Sequence, residues 1–431
     1  MDVVVERCAG LDVHRDNVVA TVRFPSEDRR RWLHKTRTFK ATLAGLSELA
    51  DWLAGFAVTL VGMEATGVYW KPVFQALEDR FECWLLNAQH LRNVPGRKTD
   101  VKDSEWICDL VAHGLVRPSF VPPPEIRRLR DFTRLRKAQS NERTRAIQRL
   151  EKVLQDAGIK LTSVASQSYS KSARAMLDAL LSGVTNPEEL AELAKARLRS
   201  KIPQLREALA NRFKVDHHGI LVAQLLAHID TLDHAIATLD EKVDALLAPH
   251  KQVVELLCTI PGVALRTAQV LIAECGLDMS RFPSAGHLVS WAGICPGHNE
   301  SAGRRRSGRT RPGPRWLTEA LTEAAKAAAR TKGTYLAAHH AQLRGRRGEP
   351  MAIGATRHDI LVAYYYIVRD RVPFRELGPD WHRKRFSPER RAHRLQLQLE
   401  ALGYKVTLEA NPEQPAGTKE TDTAEEAPAT T

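Results

Sequence analysis

Between Cys8 and Gly114 short apolar runs alternate with longer amphipathic segments. The runs "CAGLDV", "NVVATVRF" and "TRTF" are short and β-like and predict three strands in succession. A helical period follows in "LAGLSELADWLAGF", then a strand in "AVTLVGME", a helix in "VYWKPVFQALEDR", a strand in "ECWLLNA" and a helix in "DSEWICDLVAHG". This order predicts an α/β domain with a mixed sheet over residues 7–115. The run "RPSFVPPPE" at 117–125 closes it, because successive prolines remove backbone donors and favour an extended connector.

From Glu125 onward the pattern is helical, with eleven basic and five acidic groups between 121 and 160. Leu225, Ile229, Leu232, Ile236, Leu239, Val243 and Leu246 recur at alternating spacings of four and three, an a/d seam that predicts a coiled coil or a helical hairpin. The seam does not say whether its partner helix lies in the same chain. Residues 125–255 therefore read as a helical coiled-coil region, and 256–370 as a mainly α domain with helices at 316–330 and 351–370. "TIPGVALRTAQVLIAECG" at 259–276 places a Pro-Gly turn before a helix, like a helix-hairpin-helix whose amides meet a phosphate. An ordinary turn between packed helices has the same pattern. Residues 371–408 form a basic extension.

Charge changes the picture more than composition does. The 431 residues carry a net +13, yet residues 409–431 hold six acids against Lys419, leaving about +18 on the rest. The body calls for a polyanionic partner, and the acidic tail has too little apolar content to fold. The six cysteines are scattered without a CxxC pair, so they read as reduced core residues and neither a disulfide framework nor a zinc ribbon. No run approaches 18 consecutive apolar residues and the first residues do not resemble a signal peptide, so a cytoplasmic location without a membrane is the expectation.

Four acids stand where such a sheet gathers its side chains: Asp12 at the end of the first strand, Glu64 at the end of the fourth, and Asp100 and Asp103 at the start of a helix. Taken singly, an Asp there is commonly a cap. Together, four carboxylates repel one another unless cations hold them, and oxygen-only ligands select Mg²⁺ or Mn²⁺. Such ions stabilise attacking and leaving oxygens in phosphodiester chemistry. A second constellation lies at 297–315, "GHNESAGRRRSGRTRPGPR": Ser301 is followed by Arg304, Arg305, Arg306, Arg309, Arg311 and Arg315 with no acid among them. A solvated basic loop is the plain reading. The chemical one is a serine nucleophile beside cations that bind nucleic acid and offset transition-state charge, with Ser307 as its rival.

The pieces "GLDVHRD", "GMEATGVYW" and "KTDVKD" resemble the DEDD transposases of bacterial insertion sequences, whose first domain is similar to RuvC-type junction resolvases with a ribonuclease H-like fold. Proofreading exonucleases of another DEDD class carry a second acid two positions after the first; here His14 stands there. The likeness continues in "IPGVALRTAQVLIAECG" and "FPSAGHLVSWAGICPGHNESAGRRRSGRTRPGPRWLTEAL", the serine-containing second domain, where motif alignment sets the nucleophile on Ser301. The family's Gly-Gly after the serine and its K-x-G-N-x-x-L-R helix start are replaced here, with Ala302, Pro312, Pro314 and Thr318 at the corresponding places.

The resemblance implies a transposase of an insertion sequence that cuts and rejoins DNA with a metal-binding tetrad (Asp12, Glu64, Asp100, Asp103) and Ser301. It also implies a structured noncoding guide RNA and a homo-oligomer, dimer or tetramer, with composite active sites. A site-specific invertase or a junction-resolvase-like nuclease is the alternative within DNA chemistry. A non-catalytic nucleic-acid-binding protein is the alternative outside it.

Overall fold

The chain divides into two compact units, Met1–Pro124 and Glu125–Thr431, and the boundary falls in the proline run. The computed structural model describes residues 3–409 apart from 29, 66, 88–102, 166–168, 298–299, 302, 306–307, 309 and 382–387, and only the backbone of 300, 301, 305, 388–391 and 394.

The first unit is a five-stranded sheet in the order β3-β2-β1-β4-β5, formed by β1 (Cys8–Val13), β2 (Asn17–Pro25), β3 (Trp32–Lys40), β4 (Leu60–Glu64) and β5 (Glu82–Leu86). The β1-β2-β3 meander is antiparallel, while β4 and β5 join parallel to β1. This is the mixed sheet that the pattern predicts, in a strand order consistent with the ribonuclease H-like fold. The third strand is longer than its apolar signal "TRTF", because pairing with β2 carries it back to Trp32 although most of its side chains face water.

Side chains alternate across the sheet, as a period of two requires. Ala9, Leu11, Val13, Val61 and Met63 join a core with α1 (Leu43–Gly55) and α2 (Trp70–Leu77). On the opposite face Cys8, Leu60 and Leu86 pack against Ile107, Cys108 and Val111 of α3 (Asp103–Ala112). Gly10 and Gly62 are register partners on β1 and β4. They form a floor without side chains under α3: a Cβ on Gly10 would lie 2.2 Å from Ser104 O, and one on Gly62 2.5 Å from Val111 Cγ2.

The second unit begins with α4 (Pro124–Asp156), then runs through α5 (Lys171–Leu181), α6 (Pro187–Glu192), α7 (Ile202–Ala208), α8 (Ile220–Leu247), α9 (Lys251–Leu257), α10 (Leu265–Cys275) and α11 (Ala285–Trp291). The short strands β6 (Glu300–Ser301) and β7 (Arg304–Arg305) precede α12 (Arg315–Ala328), α13 (Tyr335–Arg347), α14 (Glu349–Asp370) and α15 (Pro388–Ala401).

The heptad seam lies on α8 and is closed within the chain. Ile229, Leu232, Ile236, Leu239 and Val243 are buried, as are Val222, Leu226 and Leu247, whereas Leu225 and Leu246 lie at the edge. Pairs Arg136–Asp240 (2.8 Å), Arg143–Asp233 and His218–Asp156 (3.1 Å) run in opposite chain directions, so α4 and α8 form an antiparallel helical hairpin. Of the two outcomes that the seam allowed, the hairpin is the one seen. By length and composition the helical stretch Val215–Leu257 is apolar enough to cross a membrane, but three of its acids hold arginines: Asp233 and Asp240 those of α4, and Asp230 Arg174.

Arginines of α4 also tie it to α10. Arg134 makes two hydrogen bonds of 2.8 Å to the fully buried Glu274 carboxylate, and Arg130 donates to the Ala273 and Glu274 carbonyls at 3.0 and 2.7 Å. Burial pulls the Arg130 pKa down while Glu274 opposes it. Gly262, in the Pro-Gly turn, lies against the α12 backbone: a Cβ there would meet Ala324 O at 2.3 Å. That contact gives the turn a packing role. Not every cysteine is a core residue. All six are free, but Cys258 is exposed, and Cys83 and Cys295 are half-buried.

Candidate functional site

Two strand ends and one helix start bring three of the four expected acids toward one edge of the first unit. Asp12 shares the α3 face of β1 with Cys8 and Gly10, and Glu64 shares the α3 face of β4 with Leu60 and Gly62, by the two-residue alternation. The strands are parallel and in register up to Leu11 and Met63, so these carboxylates are neighbours at the same end. Helix α3 runs antiparallel to β1, with Cys108 beside Cys8 (Sγ to Sγ 3.8 Å) and Ser104 over Gly10. Asp103, its first residue, therefore falls at the Asp12 end.

The helix start is held by a buried hydroxyl ladder. Thr21 and Ser104, both fully buried, lie 2.8 Å apart, and Thr21 lies 2.9 Å from Thr36. Thr36 in turn donates to Glu105 at 3.4 Å. A hydroxyl left unpaired there would cost about 1–3 kcal/mol, so the ladder fixes where α3 begins. His14 Nε2 lies 3.0 Å from Asp12 Oδ2, so the residue that distinguishes this chain from the exonuclease pattern touches the first acid.

Asp12, Glu64 and Asp103 offer carboxylate oxygens alone, the donor set of a hard divalent ion. Among the described residues no three such groups stand close enough to hold an ion, and Asp100 lies outside them. In donor chemistry the residues fit Mg²⁺ or Mn²⁺. The ladder and the glycine floor were not foreseen, although a signal was present: a glycine precedes the acid by two residues in both "GLD" and "GME", on the same face of its strand.

In the second unit Ser301 ends β6 and pairs with Arg304 of β7, making a tight hairpin with Gly303 at φ +73° in its turn. An isolated bridge between Pro296 and Thr310 closes the base. The side chains of Ser301 and Arg305 are not described, and Arg306, Ser307 and Arg309 lie outside the described residues. Arg304 is exposed. Arg311 donates to Ser290 Oγ at 2.8 Å, and Arg315, at the start of α12, donates to Glu319 at 2.7 Å.

Below the hairpin lies a cleft of about 860 Å³, lined by Arg311, Arg315, Glu319 and, from α14, Arg357. Arg357 had no sequence signal, since it belongs to no basic cluster and lies far along the chain from the serine.

Residues 9–159 match a transposase family of the DEDD IS110 type, and residues 254–341 match the IS116/IS110/IS902 transposase family. The two matches together cover more than half of the chain, including both constellations. Over 77 residues the chain is 36% identical to the "Insertion element IS110 uncharacterized 43.6 kDa protein" of Streptomyces coelicolor, which covers 18% of each. Over 239 residues it is 27% identical to the "Insertion element IS900 uncharacterized 42 kDa protein" of Mycobacterium paratuberculosis, covering 48% of this chain and 58% of that protein. A ribonuclease H-like strand order with acids at the ends of β1 and β4, followed by a serine hairpin within the second matched region, agrees with these likenesses, and the chain belongs to the IS110 family of insertion-sequence transposases.

Proposed function

We propose that this protein is a DNA transposase that cuts and rejoins strands through Asp12, Glu64, Asp100, Asp103 and Ser301. The observation that supports the reading is that Asp12, Glu64 and Asp103 fall at one end of the sheet, beside paired glycines that let α3 approach closely. The carboxylates would hold Mg²⁺ or Mn²⁺, which would stabilise charge on the attacking and leaving oxygens. The Ser104 ladder would set where Asp103 starts the helix, and the glycine floor would let that helix end approach Asp12.

Ser301 is the proposed nucleophile. Its Oγ forms a bond to phosphorus as a strand oxygen departs; the hydroxyl proton passes to a base and the departing oxygen takes one up. One phosphoester replaces another, so resealing needs no high-energy cofactor. Arg304, Arg305, Arg306, Arg309, Arg311 and Arg315 would bind the nucleic-acid backbone and offset negative charge on the phosphorane. A homo-oligomer and a structured guide RNA belong to the same reading; RNA that copurifies and is needed for site-specific DNA binding would support the guide.

Ser301→Ala should bind DNA yet form no protein–DNA adduct and no recombinants, while Ser307→Ala keeps both. Asp12→Ala with Glu64→Ala should bind DNA and fail to cleave it in Mg²⁺. Wild-type cleavage by that double variant defeats the acid-site reading. Cleavage that survives in Ser301→Ala favours a resolvase-like nuclease using the acids alone.

A further inference from the structure

We infer that the cleft at the foot of the serine hairpin seats one backbone phosphate of a DNA strand, with the Arg357 guanidinium as its inner anchor. The inference rests on the proposed reading of the chain as a DNA-acting protein and adds a binding group which that reading does not contain.

Other arginines packed inside the second unit provide the comparison. Arg134 has the Glu274 carboxylate, and Arg136 has Asp240 and the Gln269 side chain. Arg357 differs. Its Nε is out of contact with solvent and, among the described residues, has no hydrogen-bond partner; its Nη1 reaches only Thr322 Oγ1, at 3.4 Å. Burial alone lowers its pKa, with no carboxylate acting against it. A half-buried guanidinium with no carboxylate partner carries a desolvation cost that an anion in the cleft would offset.

The cleft around it suits a phosphodiester. Arg311 and Arg315 line it with Arg357, three guanidinium groups against the single carboxylate of Glu319, which already holds Arg315. Helix α12 starts at the same wall after Pro314, which gives no side-chain cap, and its first internal bond comes from Thr318 N. Its first-turn amides thus add partial positive charge. Part of the remaining wall is backbone on backbone: a Cβ on Gly313 would lie 1.9 Å from Ala292 O, and one on Gly293 2.6 Å from Arg311 O. Thr310, which closes the hairpin with Pro296, also lines the cleft, so a phosphate held by Arg357 places its strand at the root of the Ser301 hairpin.

The test uses the full chain, a fluorescein-labelled 30-bp duplex (about three helical turns) and salt from about 50 to 200 mM. If Arg357 neutralises one phosphate, Arg357→Gln and Arg357→Met should each reduce the slope of log affinity against log salt by about 0.9. Arg357→Lys should keep the slope and bind more weakly, because the charge stays and the planar fork is lost. Without DNA, Arg357→Met should unfold at the wild-type temperature or above it, and DNA should raise that temperature less than in the wild type. Slopes unchanged from the wild type overturn the inference, as does a DNA-free Arg357→Met that is destabilised, which would make the guanidinium a structural strut. So does a slope change seen with single-stranded RNA and absent with the duplex. Failure of the wild-type chain to bind any duplex would instead count against the DNA-acting reading itself.

Discussion

Replacing Gly10 by Ala tests how the fold makes the acid site. The added methyl would lie 2.2 Å from Ser104 O and 2.4 Å from Cys108 N, where ordinary contact begins near 3.4 Å. Both atoms belong to the α3 backbone, so no side-chain rotation relieves the clash, and the helix must retreat by about 1 Å in a core packed as densely as a crystal. Overpacking of this kind costs about 1–3 kcal/mol, and the Thr21–Ser104 contact is stretched as well, which argues for the upper half of that range. Asp103 moves with the helix, and a misplacement of about 1 Å at a reacting centre lowers turnover roughly a hundredfold. Urea unfolding should show the loss of stability. Single-turnover cleavage in Mg²⁺, measured where the variant remains folded, should show the loss of rate. Gly62→Ala should be milder, since it meets the Val111 and Ile107 side chains, and Gly55→Ala, with nothing within 4 Å, should be silent in both assays. A Gly10→Ala protein with wild-type urea midpoint and cleavage rate would refute the argument.

Glu274→Gln leaves Arg130 and Arg134 without their buried counter-charge and should cost about 3–5 kcal/mol in urea unfolding, whereas the exposed pair Lys251–Glu255 should contribute about 0–1 kcal/mol. Asp at both Leu232 and Leu239 should unfold the α4–α8 hairpin at every protein concentration, because the seam is filled within the chain; circular dichroism that changes only on dilution would point to an intermolecular seam instead. Burial pushes the Asp359 pKa up, but hydrogen bonds from His339 and His358 outweigh it and hold the group below its usual 3.8. A depressed carboxylate stabilises the fold above its unfolded value, and that contribution is lost as pH falls through the lower folded value. Stability should therefore drop with acid below about pH 4, and Asp359→Asn should flatten this limb in urea midpoints read against pH.

The sequence by itself determined the elements that depend on local periodicity. The period-two runs gave β1, β2, β4 and β5, the amphipathic runs gave α1 to α3, and the prolines at 122–124 marked the boundary between units. It also set Asp12, Glu64 and Asp103 at strand ends and a helix start, which are local features. Tertiary structure decided what distance along the chain conceals. The four-three spacing of α8 was legible, yet its partner depended on whether α4 offered arginines opposite Asp233 and Asp240, nearly a hundred residues earlier. The close seat of α3 on the sheet rests on Gly10 and Gly62 falling in register, and register between strands about fifty residues apart has no local signature. Arg357 makes the same point: its lack of a carboxylate is a property of what packs around α14, and burial without compensation exists only once the helices have closed.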